Sequence, residues 1–136
     1  MFILQEHEGD MRTAIVVFTA ESRDEIIRNG GSQSWAVSKE RARQQKFLVC
    51  VRNAHNELSD GDERHGSAFL VGRISNVVAA LHPMRPHETG RWMIKISDCA
   101  VVDMADVWQG WRNPVRYTSL EDIGIEPASL SFGCIA

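Results

Sequence analysis

The chain has 136 residues, 43% of them hydrophobic and 24% charged, with a formal net charge of -3. That length and balance point to a single globular domain with a real core, and they exclude a low-complexity or disordered chain. The acidic balance excludes a bulk positive field, so any nucleic-acid contact has to use a local basic patch or a base pocket.

Residues 1–11 carry acids and little pattern and read as a loose lead-in, which leaves residues 12–136 as one domain. They lack a basic stretch followed by a long apolar one, so no secretory leader is expected. Ala14-Ile15-Val16-Val17-Phe18 is a continuous apolar run, the pattern of a strand covered on both faces. Ser22-Arg23-Asp24-Glu25 has capping-box spacing and predicts a short helix through Ile26, Ile27 and Arg28, stopped at Asn29-Gly30-Gly31. Gly30-Gly31-Ser32-Gln33-Ser34-Trp35 lacks phosphate-loop and dinucleotide spacing. Its glycines still let backbone come close to a ligand, although a plain helix-to-strand turn reads the same way.

Ser38 predicts the cap of another short helix with Glu40 in its first turn. Arg41, Arg43 and Lys46 on or near it read as a solvated face or a small basic patch. Phe47-Leu48-Val49-Cys50-Val51 predicts a central strand. Residues 54–66 are polar, with a turn at Asp60-Gly61-Asp62, and neither calcium-loop spacing nor a zinc partner for His55 or His65 is present. A long strand is expected from Ser67 to Leu81, bent or bulged at Gly72, and residues 82–90 read as a mobile hairpin tip. Arg91 to Ser97 alternates, with Trp92, Ile94 and Ile96 facing one way and Met93, Lys95 and Ser97 facing a wetter side. A turn at Ser97-Asp98 and a further strand at Ala100-Val101-Val102 follow from this reading.

The stretch from Trp108 to Tyr117 holds three large aromatics, two arginines and an Asn before a proline. Trp and Tyr offer flat faces with a polar handle, and Arg either forks onto an anion or lies flat on a ring. Such a set suits a planar polar ligand, though neighbouring tryptophans also serve as core plugs. Thr118-Ser119-Leu120-Glu121 predicts a one-turn helix closed by Gly124. Pro127 starts another turn that packs Leu130 and Phe132 back onto the core.

Cys50, Cys99 and Cys134 are odd in number and widely spaced, so no disulfide framework or zinc site is signalled. Cys50 and Cys99 read as small core residues, poor candidates for a nucleophile, and a reducing cytoplasm is expected. No apolar run reaches the ~18 residues of a membrane helix, and no membrane partner, metal or cofactor is expected.

Five or six short strands with small helices early and late predict an α+β plan: a small mixed and antiparallel pseudo-barrel with short peripheral helices. The order of the Gly31–Trp35 segment, the strands at 47–51, 68–77 and 92–96, and the late aromatic-Pro segment resembles the PUA-like superfamily, nearest to its EVE and ASCH branches. The resemblance spans residues 12–132 and implies a cleft that holds RNA or a modified nucleobase against aromatic rings. It places Ser32, Ser34 and Trp35 on one wall and Trp108, Trp111 and Asn113 on the other.

The function expected is therefore a binding module for a nucleobase or nucleotide, free or within RNA or DNA. The base stacks on Trp108 or Trp111, Asn113 pairs with its edge, and Arg112 or Arg116 meets a phosphate, with Arg52 and Arg73 as extensions of that patch. The ASCH resemblance also implies an alternative, a small hydrolase acting on a modified nucleoside through Lys95, Thr118 and Glu121. A protein-interaction domain anchored by exposed Trp and Arg is a third reading.

Overall fold

The computed structural model describes residues 13–80 and 90–133. The lead-in expected at 1–11 lies outside the described residues, as does the hairpin tip expected at 82–90, Gly90 excepted. Six strands and two helices follow in the order β1 (Ala14–Thr19), α1 (Arg23–Asn29), β2 (Gly31–Trp35), α2 (Lys39–Arg43), β3 (Phe47–Arg52), β4 (Ala68–Ala79), β5 (Trp92–Met104) and β6 (Val115–Thr118). Two short 3-10 turns, Glu121–Ile123 and Pro127–Ser129, close the chain.

The strands form one mixed sheet in the order β2-β5-β4-β3-β1-β6, curled into a half-barrel. It is open between β2 and β6, so the compact barrel expected from the sequence is only half closed. β1 pairs parallel with β3, and every other pairing is antiparallel. Parallel neighbours need a long crossover, and here it contains α1, β2 and α2. Within it, β2 reaches the far edge of the sheet and pairs with β5.

Both faces of the central strands are buried. Ile15, Val17, Leu48 and Cys50 join one core with Ile26 of α1, Ala42 of α2 and Trp35. Ala14, Val16, Val49 and Val51 join the other, which Val107, Leu120 and Ile125 cover. The two continuous apolar runs therefore give the parallel pair β1 and β3, both inside the sheet and covered on both faces, as their patterns require.

The helix caps form as the sequence spells them. Ser22 Oγ accepts from Glu25 N–H at 3.0 Å, Ser38 Oγ accepts from Arg41 N–H at 3.3 Å, and Gly30 ends α1 at φ 74°. The late turn is capped one residue further on than expected, by Ser119 Oγ accepting from Asp122 N–H at 3.1 Å. Leu130 and Phe132 pack against the second core.

Three strand readings are corrected. β5 runs unbroken through Ser97-Asp98, because Asp98 lies opposite Arg73 in register and the two side chains pair at 3.3 Å. A cross-strand ion pair uses the same polar residues that a turn would. Met93 is fully buried, since β5 lies inside the sheet between β2 and β4 and is covered on both sides there. Gly72 lies next to the irregularity rather than at it: the register of β4 on β5 shifts between Arg73 and Ile74 and again before Asn76. A Cβ at Gly72 would stand 2.5 Å from Ile96 Cγ2, so the glycine makes room for a core side chain.

Cys99 is disulfide-bonded, which corrects its reading as a core thiol, and Cys134 lies outside the described residues. The reducing compartment expected from unpaired cysteines loses that support. Among the described residues, no helix is long and apolar enough to cross a membrane.

Candidate functional site

A cleft of about 580 Å³ opens between α1 and β2, walled by Glu21, Glu25, Arg28, Asn29 and Ser34 among others. Its geometry starts from a defect in β2. Ser34 has φ 77°, and the register on β5 shifts between Gln33 and Trp35. A left-handed conformation at a non-glycine residue costs about 1–3 kcal/mol and persists only where its surroundings fix it. The extra residue has a direct consequence. Ser32 and Trp35 are three apart and would face opposite sides of a regular strand, but the bulge returns them to the same side. The indole Nε1–H of Trp35 then donates to Ser32 Oγ at 2.9 Å.

While accepting from the indole, the Ser32 hydroxyl donates onward to Glu21 Oε1. Thr19 does the same from the other side. Its Oγ1 accepts from the backbone N–H of Glu21 at 2.9 Å and donates to Glu21 Oε1 at 2.8 Å. Glu21 Oε2 receives one longer bond, from the backbone N–H of Gln33 at 3.3 Å. Burial pushes the Glu21 carboxyl above its usual range, against the lowering effect of these three donors, and nearby Glu25 adds to the rise.

Thr19 also links to a second buried charged group, which is paired elsewhere. Arg52 is fully buried at the end of β3. Its Nη1 donates to the Thr19 carbonyl at 3.1 Å, and its Nε donates to Glu63 Oε1 at 2.9 Å. The guanidinium also lies 4.3 Å from the Phe69 ring centre. Glu63 in turn pairs with Arg23 at 3.4 Å. The Asp60-Gly61-Asp62 turn passes directly over this pair, where a Cβ at Gly61 would stand 2.5 Å from Arg52 Nη2. Arg52 is thus part of the interior and does not extend an outer phosphate-binding patch. Arg73, the other expected extension, is tied to Asp98 and lies 4.0 Å from the Phe132 ring centre.

The late aromatic stretch forms a different corner. Trp108 stacks on Phe18 with ring centres 4.3 Å apart and planes within 4°. Trp111 meets Trp108 edge to face at 4.8 Å, and the Arg116 guanidinium lies 4.2 Å from the Trp111 ring centre. Phe18 also meets His65 edge to face at 5.3 Å, and the His65 and His55 rings stack at 3.6 Å. Loss of solvent around the ring, and then the neighbouring His55, pull His65 below the usual histidine range.

The residues expected to form two walls are divided between these places. Ser32, Ser34 and Trp35 belong to the cleft side, with Trp35 in the first core. Trp108 packs against the second core, on the other face of the sheet. They do not face one another across one pocket.

Trp108 is thus closer to a core plug, whereas half-buried Trp111 lines a recess of about 230 Å³ with Asp106 and Asp122. Arg112 and Asn113 are exposed. The Asn113 side-chain oxygen accepts from Val115 N–H at 3.2 Å, so it shapes the turn into β6. The hydrolase trio is not assembled by strand order: Lys95 is on β5, while Thr118 ends β6, with β4, β3 and β1 between them.

Sequence reasoning misses Thr19, Glu21, Glu63 and the buried role of Arg52. The available signal is a charged residue just past each of two fully apolar strands, Glu21 after β1 and Arg52 at the end of β3. No family model, no curated protein and no solved structure matches this chain.

Proposed function

We propose that the chain is a binding module for a nucleobase or nucleotide, of the PUA-like, EVE or ASCH type, and that it takes the base in the cleft between α1 and β2. The observation that carries this reading is the Glu21 carboxyl, held in place by Thr19, Ser32 and Gln33 on the wall of that cleft. A volume of about 580 Å³ lies within the ordinary range for small-molecule sites. A few convergent polar groups and a titratable group displaced by burial are the usual marks of such a site. Asn29 and Ser34 on the same wall supply an amide and a hydroxyl for a base edge, and Arg28 supplies a cation for a phosphate.

The Trp111 corner supports the reading less well. Arg116 already covers a face of the indole, and the carboxylates of Asp106 and Asp122 in the adjoining recess oppose a phosphate. The base is therefore recognised mainly through its edge, and stacking on Trp108 or Trp111 is secondary.

Titration with nucleosides and nucleoside monophosphates, followed by calorimetry, tests the proposal. Saturable binding is expected at millimolar ligand or below, weakened several-fold by Asn29→Ala, as loss of about one hydrogen bond requires. Absence of saturation across the panel would remove the proposal.

A further inference from the structure

A carboxylate drawn out of water usually has a cation beside it, because an unpaired buried charge is costly. Glu21 does not. Among the described residues, its hydrogen-bond donors are two hydroxyls and one backbone N–H, and no Lys, Arg or His forms an ion pair with it. The hydroxyl protons of Ser32 and Thr19 point at the carboxylate, which can only accept, while each hydroxyl oxygen accepts from an N–H, of Trp35 and of Glu21 respectively. Oε1 is thus filled by two donors, while Oε2 takes only the longer bond from Gln33. A carboxylate oxygen has two acceptor positions, so Oε2 keeps one open. Glu25 adds a second negative group to the wall, and Arg28, the cation there, is exposed.

Resting on the nucleobase reading above, we infer that the ligand itself supplies the missing positive charge: the cleft takes a cationic base, protonated or methylated on a ring nitrogen, whose N–H edge donates to Glu21 Oε2. The acceptor is already oriented by the relay from Trp35, so binding needs little rearrangement. A neutral base of the same shape leaves the carboxylate uncompensated and binds less well. A neutral edge that presents only acceptors is repelled. Binding a cation also favours the ionised form of Glu21, so the ligand is expected to lower the carboxyl pKa that burial raises.

The test compares 1-methyladenosine, a cation at neutral pH, with its neutral isomer N6-methyladenosine. Methylguanidine serves as a probe with charge and N–H groups but no base. The wild-type chain and Glu21→Gln are titrated with each. The inference expects 1-methyladenosine to bind about tenfold or more tightly than its isomer, and Glu21→Gln to erase that preference. Equal binding of the two isomers by the wild type overturns the inference and leaves the nucleobase reading standing. Binding of methylguanidine that depends on Glu21, with no nucleoside bound, supports the charge selection and ends the nucleobase reading. Failure of all three probes overturns both. Should Glu21→Gln not fold, the wild type alone decides: affinity for 1-methyladenosine is expected to fall as acid protonates Glu21, and a flat pH profile contradicts the inference.

Discussion

Thr19 touches two charged groups at the end of β1, Arg52 fully buried and Glu21 partly so, and they are satisfied in different ways. Its carbonyl accepts from Arg52, and its hydroxyl donates to Glu21. Arg52 has an opposite charge, Glu63, at 2.9 Å, an aromatic face and a turn passing over it. Glu21 has neutral donors and a cleft. The first arrangement is compensated in charge within the chain and explains itself as structure. The second is complete in hydrogen bonds at one oxygen but not in charge. The lesson is that charge compensation, rather than burial, separates a structural ionisable group from one directed at a ligand.

Breaking the first region carries the largest expected effect. Arg52→Met leaves Glu63 without its buried partner and is expected to lower unfolding free energy by about 3–5 kcal/mol in urea. A loss under about 1 kcal/mol would mean that the pair is not structural. Gly61→Ala presses a methyl group onto the same guanidinium and is expected to cost about 1–3 kcal/mol, read in the same denaturation series. In the second region, Trp35→Phe removes the indole donor to Ser32 and keeps an aromatic ring. Its cost in stability is expected near 0.5–1.5 kcal/mol, roughly one hydrogen bond.

The smallest effect sharpens the comparison most. Glu21 is held above its unfolded value by burial. Between the unfolded and folded values, the folded state holds more protons, so stability falls as pH rises through that interval and the cost of the ionised form persists above it. Glu21→Gln is expected to flatten that slope and to leave neutral-pH stability equal or slightly higher. Denaturation midpoints measured across the acidic range, with the two proteins side by side, check the sign.

Much of the frame is legible in the sequence, because its signals are local. The runs Ala14–Phe18 and Phe47–Val51 fit strands covered on both faces, and the Ser22 and Ser38 caps mark where helices begin. What fails is register and side. Ser97-Asp98 looks like a turn until Arg73 is known to lie opposite. Trp35 and Trp108 look like two walls until the sheet is known to pass between their cores. The Trp35–Ser32–Glu21 relay is illegible for a similar reason: its first bond depends on a bulge at Ser34, and its second on bringing the segment after β1 against β2. An aromatic-rich stretch advertises itself, whereas a lone Glu does not.

The most direct measurement is the titration of the Glu21 carboxyl carbon by isotope-edited NMR, alone and with saturating 1-methyladenosine. The account predicts an apparent pKa above the ordinary glutamate range in the free protein and a marked drop when the ligand is bound. An ordinary value in the free protein, or a value unmoved by the ligand, would contradict it.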